Sequence, residues 1–599
     1  MNKTLMLLLA AGLAATAGAA TPSEATRHIQ QFEQGLVPPV LVKGEAPSLT
    51  SLTARMAELK VPGVSVAVIH KGRIEWARGY GVKSIGGAAV DENTLFQAAS
   101  ISKPVFALAV MRQVEAGKLD LDANVNDYLK TWKLPDNEFT RDQKVTLRRI
   151  LSHSAGLTVH GFPGYDAGAK LPATAQILDG EPPANTAAIR VDVVPGTLYR
   201  YSGGGYTLAQ QLMADVTGRP LPDLLRDTVL TPLGMKLSTY EQPLPAARLR
   251  EVALPYRGDG SAVTGGPHVY PELAAAGLWT TPSDLARYAL GVRAALAGKS
   301  KVINAATARL MLTRQLGDHA LGPVVGGSTA RKYYTHNGAN DGYRCLLVAY
   351  EDGEGAVVMT SGDNGGGLMY DVLRTLARIY EWPDFGPGER TLADVKPEVL
   401  DRVIGVYQLN DQNMYLVHRD DGRLVGHTLG NRPLELLPSS DHELFARDVN
   451  VVVDFSADTN GVFTTVRHNF NGFERTGTRV DEVRAHEVLA SAERLARRIR
   501  EQKQDPRADA ALRKLVASIA AGQPDYAMMS PQLADLTRQQ LKGLNEIFTN
   551  LGDLQTLTFK RVTENGADEY LAEFAQGKLR FDIGLDEAGI VNNAYFEPR

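Results

Sequence analysis

One cysteine in 599 residues is the sharpest scarcity in this sequence. Cys345 has no second thiol to pair with and cannot supply a cysteine-based zinc site, so stability must come from packing. Its setting, Tyr343-Arg344-Cys345-Leu346-Leu347-Val348, reads as a strand in which the thiol is a small buried hydrophobe. Charge of one sign is lacking too. Lys and Arg number 64 against 68 Asp and Glu, a formal net charge of -4, which gives no basic field for nucleic acid or an anionic membrane. Beyond the N-terminus no stretch approaches the roughly 18 uninterrupted apolar residues of a membrane span. Neither Gly-x-Ser-x-Gly nor His-Glu-x-x-His occurs. Ala297-Gly298-Lys299-Ser300 imitates the end of a phosphate-binding loop, but Arg293 stands where its first glycine belongs, so it reads as a helix end. What is present is a 44% hydrophobic, 22% charged chain that can bury several cores, which excludes wholesale disorder, collagen-like repeats and coiled coils.

The N-terminus carries Lys3, an apolar stretch from Leu5 to Leu13 and small residues at Ala17-Gly18-Ala19, the pattern of a secretory signal peptide over 1–20. The expectation is an exported, periplasmic protein with no stable membrane anchor. Downstream, Val64 to His70, Lys71-Gly72 and Arg73 to Gly79 read as a β-hairpin whose turn needs positive φ. A second hairpin spans Cys345 to Thr360, and helical signals lie between the two. Helices are expected from Ser102-Lys103-Pro104 through Glu115 and from Thr281-Pro282-Ser283-Asp284 onward. Strands at both ends with helices between predict one α+β domain over 30–383, followed by a linker at Pro383 to Gly388. Short alternating strands over 398–480 predict a small antiparallel β domain, and a helical stripe followed by strands over 481–599 predicts a small α+β domain.

Ser100-Ile101-Ser102-Lys103 lies where Leu95 to Ala99 meets the first of those helices. At a helix start, positions i and i+3 share a face, so the Lys103 ammonium can reach the Ser100 hydroxyl. The helix dipole favours negative charge on Ser100, and the apolar run Val105 to Val110 buries the helix and disfavours a charged Lys103. Read alone, the same letters also fit a serine N-cap with a surface lysine one turn later.

Two further segments carry a resemblance. Pro195-Gly196-Thr197-Leu198-Tyr199-Arg200-Tyr201-Ser202-Gly203 and His336-Asn337-Gly338 resemble the second and third motifs of the serine β-lactamase and penicillin-binding-protein relatives, in the class C, carboxypeptidase and esterase branch. Leu151 to Leu157 and Ala276 to Asp284 also resemble segments of this branch, and the order of all five is that of the family. The resemblance implies a β-lactamase/transpeptidase-like α+β fold, with antiparallel sheet, flanking helices and helical subdomain. It makes Ser100 the acylated nucleophile, Lys103 its base and Tyr201 a second acid/base whose phenolate a nearby ammonium would stabilise. It also implies an oxyanion hole from the backbone N–H groups of Ser100 and Ala339, and a Gly338 that lets substrate approach the strand. The 398–480 region resembles lipocalin-like barrels that follow this type of hydrolase.

The sequence departs from the family at two places. Gly203 replaces the usual asparagine of Tyr-x-Asn, which removes an amide from the site. His336 replaces the usual lysine, which would leave a partner for a substrate carboxylate charged mainly below about pH 6.5. Both tilt the expectation toward an esterase or D-amino-acid peptidase, with D-Ala-D-Ala carboxypeptidase or β-lactamase as alternatives. A catalytically silent penicillin-recognition protein is the alternative of another class. No cofactor or metal is expected, and the implied partner is a small-molecule or peptide substrate, cell-wall material among the candidates. His153, beside Ser152 and Ser154, reads as part of a structural turn.

Overall fold

The computed structural model of the chain describes residues 22–410, 413–429, 431–470, 473–563 and 565–598. The expected signal peptide lies outside the described residues, among which no helix is long and apolar enough to cross a membrane.

A six-stranded antiparallel sheet organises the first half of the chain. Its strands are β1 (Gly63–His70), β2 (Arg73–Gly81), β3 (Val324–Gly327), β4 (Lys332–Asn340), β5 (Tyr343–Tyr350) and β6 (Gly355–Thr360), in the spatial order β2-β1-β6-β5-β4-β3. The β1–β2 turn is the expected one, with φ of 52° at Lys71 and 74° at Gly72, the double positive φ of a turn that matches strand twist. β1, β5 and β6 are buried on both faces, which is why they read as continuous apolar runs. On one face Val64, Val66, Val68, Leu346 and Val358 pack against helices α1 (Glu24–Gln34) and a later helix, Gly365–Ile379. On the other, Ala67, Ile69, Leu347, Val357 and Met359 join the main core built around α2 (Ser102–Glu115), α3 (Gly203–Thr217) and α4 (Pro282–Leu296). Thr281 caps α4 as its sequence predicts, its hydroxyl oxygen accepting from the Asp284 N–H at 3.2 Å.

Eight strands between Gly405 and Arg479 close into a barrel around Tyr407, Val417, Leu444, Val453 and Phe455. Three helices follow, Glu482–Glu501, Ala508–Ala520 and Pro531–Leu551, and then a four-stranded antiparallel sheet. Its strands are Leu554–Val562, Asp568–Phe574, Gly577–Leu585 and Val591–Pro598, inside the region expected to form a small α+β domain. The segment expected to be a linker runs into a short strand, Gly388–Arg390, which pairs in parallel with Val40–Val42. Val40 and Val42 in turn share an apolar cluster with Phe445 of the barrel.

Candidate active site

The turn before α2 presents Ser100. Ala99–Ile101 form a single 3-10 turn that continues into α2, and Ala99 takes φ of 48°, a left-handed value that costs a residue with a Cβ. Several bonds hold this strained turn. The Ser102 hydroxyl donates to the Ala99 carbonyl at 2.5 Å and accepts from the Leu278 N–H at 3.0 Å, and the Cys345 thiol donates to the Ala98 carbonyl at 2.9 Å. The lone cysteine is thus a buried strut, its thiol pushed up by desolvation. Nothing in the Ala98-Ala99 letters announces the left-handed conformation.

α2 is buried nearly all round and carries Lys103 into the core at 2% exposure. The Lys103 ammonium donates to Ser100 Oγ at 2.9 Å and to the Ala275 carbonyl at 2.9 Å. Among the described residues no carboxylate accompanies it, so desolvation alone acts and brings its pKa down to about 7. The expectation of a lysine reaching the serine hydroxyl is met in the geometry, and the Ala275 carbonyl is the partner that sequence reasoning missed.

Tyr201 stands across from Lys103, whose nitrogen lies 4.9 Å from the ring centroid, with Ser100 close enough to oppose in part the effect of burial on its hydroxyl. Here the structure corrects the sequence reading. The ammonium lies over the ring, and burial pushes the phenol up to about 12, so Tyr201 is protonated at neutral pH and is no phenolate base. His153 supports it. At φ of 56° the His153 backbone brings its imidazole into a stack on the Tyr201 ring, and its Nδ1 accepts the Ser202 N–H at 3.1 Å. Desolvation holds this imidazole well below its ordinary range, with Lys103 adding to the effect, so it is a neutral support. His160 lies against the other side of the region, its ring 4.8 Å from that of Tyr201.

The glycines after Tyr201 start α3 flush against the chain at 158–162. The Gly203 N–H donates to the His160 carbonyl at 3.0 Å, and a Cβ there would lie 3.0 Å from Phe162 Cε2 and 3.1 Å from that carbonyl. An asparagine in this place would require the 158–162 segment to give way by a few tenths of an ångström.

β4 brings the third motif alongside the Ser100 turn. β3 pairs only with Lys332 to Thr335, so His336 to Asn340 runs on beyond it as a sheet edge. A Cβ on Gly338 would lie 2.3 Å from the Ala98 carbonyl and 2.6 Å from Cys345 Sγ. What approaches Gly338 is the Ser100 turn, through the Ala98 carbonyl, rather than the substrate expected there. Ala339 is exposed on the same edge. Asn340 completes the clamp, its Nδ2 donating to Gln97 Oε1 at 2.7 Å.

His336 requires a second correction. Its Nδ1 lies 2.6 Å from the Asn337 carbonyl and so donates to it, leaving Nε2 as an acceptor. Burial, with the nearby Lys103, brings its pKa down to about 3. It does not become a carboxylate-binding cation near pH 6.5, because desolvation outweighs the ordinary basicity of the ring.

The Beta-lactamase family model matches residues 50–379, more than half of the 599. Penicillin-binding protein 4 of Amycolatopsis lactamdurans is 29% identical over 343 residues, covering 54% of this chain and 87% of its own. Penicillin-binding protein 4* of Bacillus subtilis is 25% identical over 391 residues, covering 61% of this chain and 83% of its own. Esterase EstB of Burkholderia gladioli is 29% identical over 276 residues, covering 40% of this chain and 67% of its own. The match spans the sheet, the Ser100 turn, Tyr201 and His336 alike, and the chain belongs to the Beta-lactamase family as one of its serine hydrolases.

Proposed function

We propose that this chain is an exported hydrolase that cleaves small ester, amide or peptide substrates through an acyl-enzyme on Ser100. The observation that carries the reading is the 2.9 Å contact between Ser100 Oγ and a buried Lys103 whose pKa is about 7. An amine that is half neutral near pH 7 accepts the serine proton as Oγ attacks the carbonyl carbon. The oxygen that gains charge is held by the Ser100 and Ala339 N–H groups. Tyr201, protonated and beside Ser100, donates its proton to the departing oxygen or nitrogen and recovers one from the Lys103 ammonium. Water then attacks the ester of Ser100, its proton passing to Lys103, and Ser100 leaves with a proton from the same pair.

A neutral His336 offers an acceptor and no cation for a substrate carboxylate. Leu198 and Tyr199, 45% and 41% exposed just before Tyr201, give the approach an apolar lip. These features favour uncharged esters and D-amino-acid amides or peptides over substrates with a free C-terminal carboxylate. Export rests on the Lys3 and Leu5 to Leu13 pattern, with the periplasm as the compartment. The 398–480 and 481–599 regions are read as accessory domains.

Intact-mass analysis after a fluorophosphonate and, separately, a penicillin tests this, each against Ser100→Ala. The expected result is one adduct with the fluorophosphonate that Ser100→Ala abolishes. A penicillin adduct would move the substrate class toward cell-wall peptides. A folded protein that forms no adduct with either probe would be a silent binder, and the mechanism would be wrong.

A further inference from the structure

On the sheet face opposite the Ser100 side, α1 crosses the β1–β2 hairpin, and three carboxylates and two imidazoles converge there. Glu24 and His28 come from α1, His70 from the end of β1, Glu75 from β2 and Glu354 from the turn before β6. The sequence reading assigned them nothing, since Glu24 and Glu354 lie at opposite ends of the hydrolase region.

Hydrogen bonds explain one side of each central residue and leave the other without a partner. His70 Nδ1 lies 3.0 Å from Glu354 Oε2, and Glu354 is itself fixed by the Lys71 N–H at 3.0 Å and the Trp382 indole N–H at 3.3 Å. This turns His70 Nε2 inward, where it is buried without a hydrogen-bond partner. Glu75 Oε2 takes His28 Nδ1 at 3.0 Å and the Tyr380 hydroxyl, and its Oε1 is likewise buried without a partner. The Glu75 side chain is 2% exposed. A buried carboxylate oxygen and a buried imidazole nitrogen left unsatisfied together are costly unless something binds them. His70 Nε2 lies 3.7 Å from Glu24 Oε1, too far for a hydrogen bond, and ligand atoms of Glu24, His70 and Glu75 all lie within 4.8 Å of one another.

We propose that Glu24, His70 and Glu75 bind a divalent metal ion of the zinc class, with water completing the shell. Zinc takes imidazole nitrogen and carboxylate oxygen at about 2.0–2.2 Å, so ligand atoms of one site stand roughly 3.3 Å apart, which the observed spacing approaches with a small closure. Glu354 is the carboxylate that holds the ligand imidazole by its other nitrogen, and His28 with Tyr380 does the same for Glu75, the outer support such sites use. Lys71 is the competitor, its ammonium donating to Glu24 at 2.7 Å, and it is exposed enough to swing away. The ion would tie α1 to the hairpin, so its role is structural and independent of the serine chemistry.

The test uses the full chain, stripped with a chelator and then titrated with Co²⁺ and with Zn²⁺. The expected result is one saturable equivalent of Co²⁺ with the absorption bands of a low-coordinate site, displaced by Zn²⁺, and a higher melting temperature with metal. Glu24→Gln, His70→Ala and Glu75→Gln each weaken binding tenfold or more, and Lys71→Met tightens it. Glu24→Gln is the decisive variant, because Glu24 is half exposed and its loss leaves the core intact; circular dichroism in chelator confirms each fold. Absence of a one-to-one phase, or one that Glu24→Gln and His70→Ala leave unchanged, overturns the proposal, and unchanged binding by Lys71→Met removes Glu24 as a ligand.

Discussion

The His153 imidazole lies stacked on the Tyr201 phenol, ring centroids 4.2 Å apart and planes 28° from parallel. Its Nδ1 also holds the Ser202 N–H, so one neutral histidine fixes both the ring and the backbone of the second motif. Replacing it by leucine keeps bulk and removes the acceptor. His153→Leu is expected to lower kcat about tenfold or more with little change in KM, and His153→Gln, which restores an acceptor, to recover part of the loss. Tyr201→Phe, which removes the proton donor itself, should cost about 10²–10⁴-fold. Steady-state kinetics on the best substrate of an ester and amide panel checks all three.

The Lys103 pKa near 7 sets the pH profile. Below it the amine is charged and cannot accept the Ser100 proton; above it the amine is neutral and competent. The acylation rate should climb as pH rises through about 7 and then level off. His336, at about 3, and Tyr201, at about 12, should add no further limb between pH 5 and 9. Fluorophosphonate labelling rates from about pH 5 to about pH 11 provide the measurement, and a limb centred near 10 would mean that Lys103 remains charged in the site.

Gly338 is the position where the sheet meets the Ser100 turn, with room for no side-chain carbon. Gly338→Ala must push Ala98 away, and overpacking of this kind costs about 1–3 kcal/mol. The expected outcome is a lower melting temperature together with slower labelling of Ser100, since the displaced turn carries the serine. A variant that melts lower yet labels at the normal rate would show that the turn tolerates the shift.

Glu272 is fully buried, both its carboxylate oxygens lack a partner, and burial brings its pKa up to about 8. The folded state holds this proton where the unfolded chain has released it. The stability it contributes is therefore complete below about 4.5 and is lost as pH rises toward 8, a change on the order of 5 kcal/mol at full extent. Glu272→Gln should flatten that decline, visible as melting temperatures that fall less between pH 5 and 9 than those of the unaltered chain.

Much of the catalytic geometry was legible because it is local. Ser100 and Lys103 are three residues apart at a helix start, and the strained turn only sharpens a contact that the spacing already allows. Charge states were less legible, since they depend on what distant segments bury. Tyr201 and His336 have unremarkable sequence neighbours, yet one is pushed up and the other down by the same enclosed site. Gly203 could be seen as a departure, but that residues 158–162 close onto it could not, because nothing in the letters measures that distance. The hairpins and α4 announced themselves through turn and cap residues.

The parallel pairing of Val40–Val42 with Gly388–Arg390 gives the passage from hydrolase to barrel the character of a seam instead of a tether. The chain leaving the hydrolase is stitched back onto its own beginning before it enters the barrel, and Val40 and Val42 carry that stitch onward to Phe445. A cut in the backbone between Pro383 and Gly388 would sever the chain there without setting the barrel adrift.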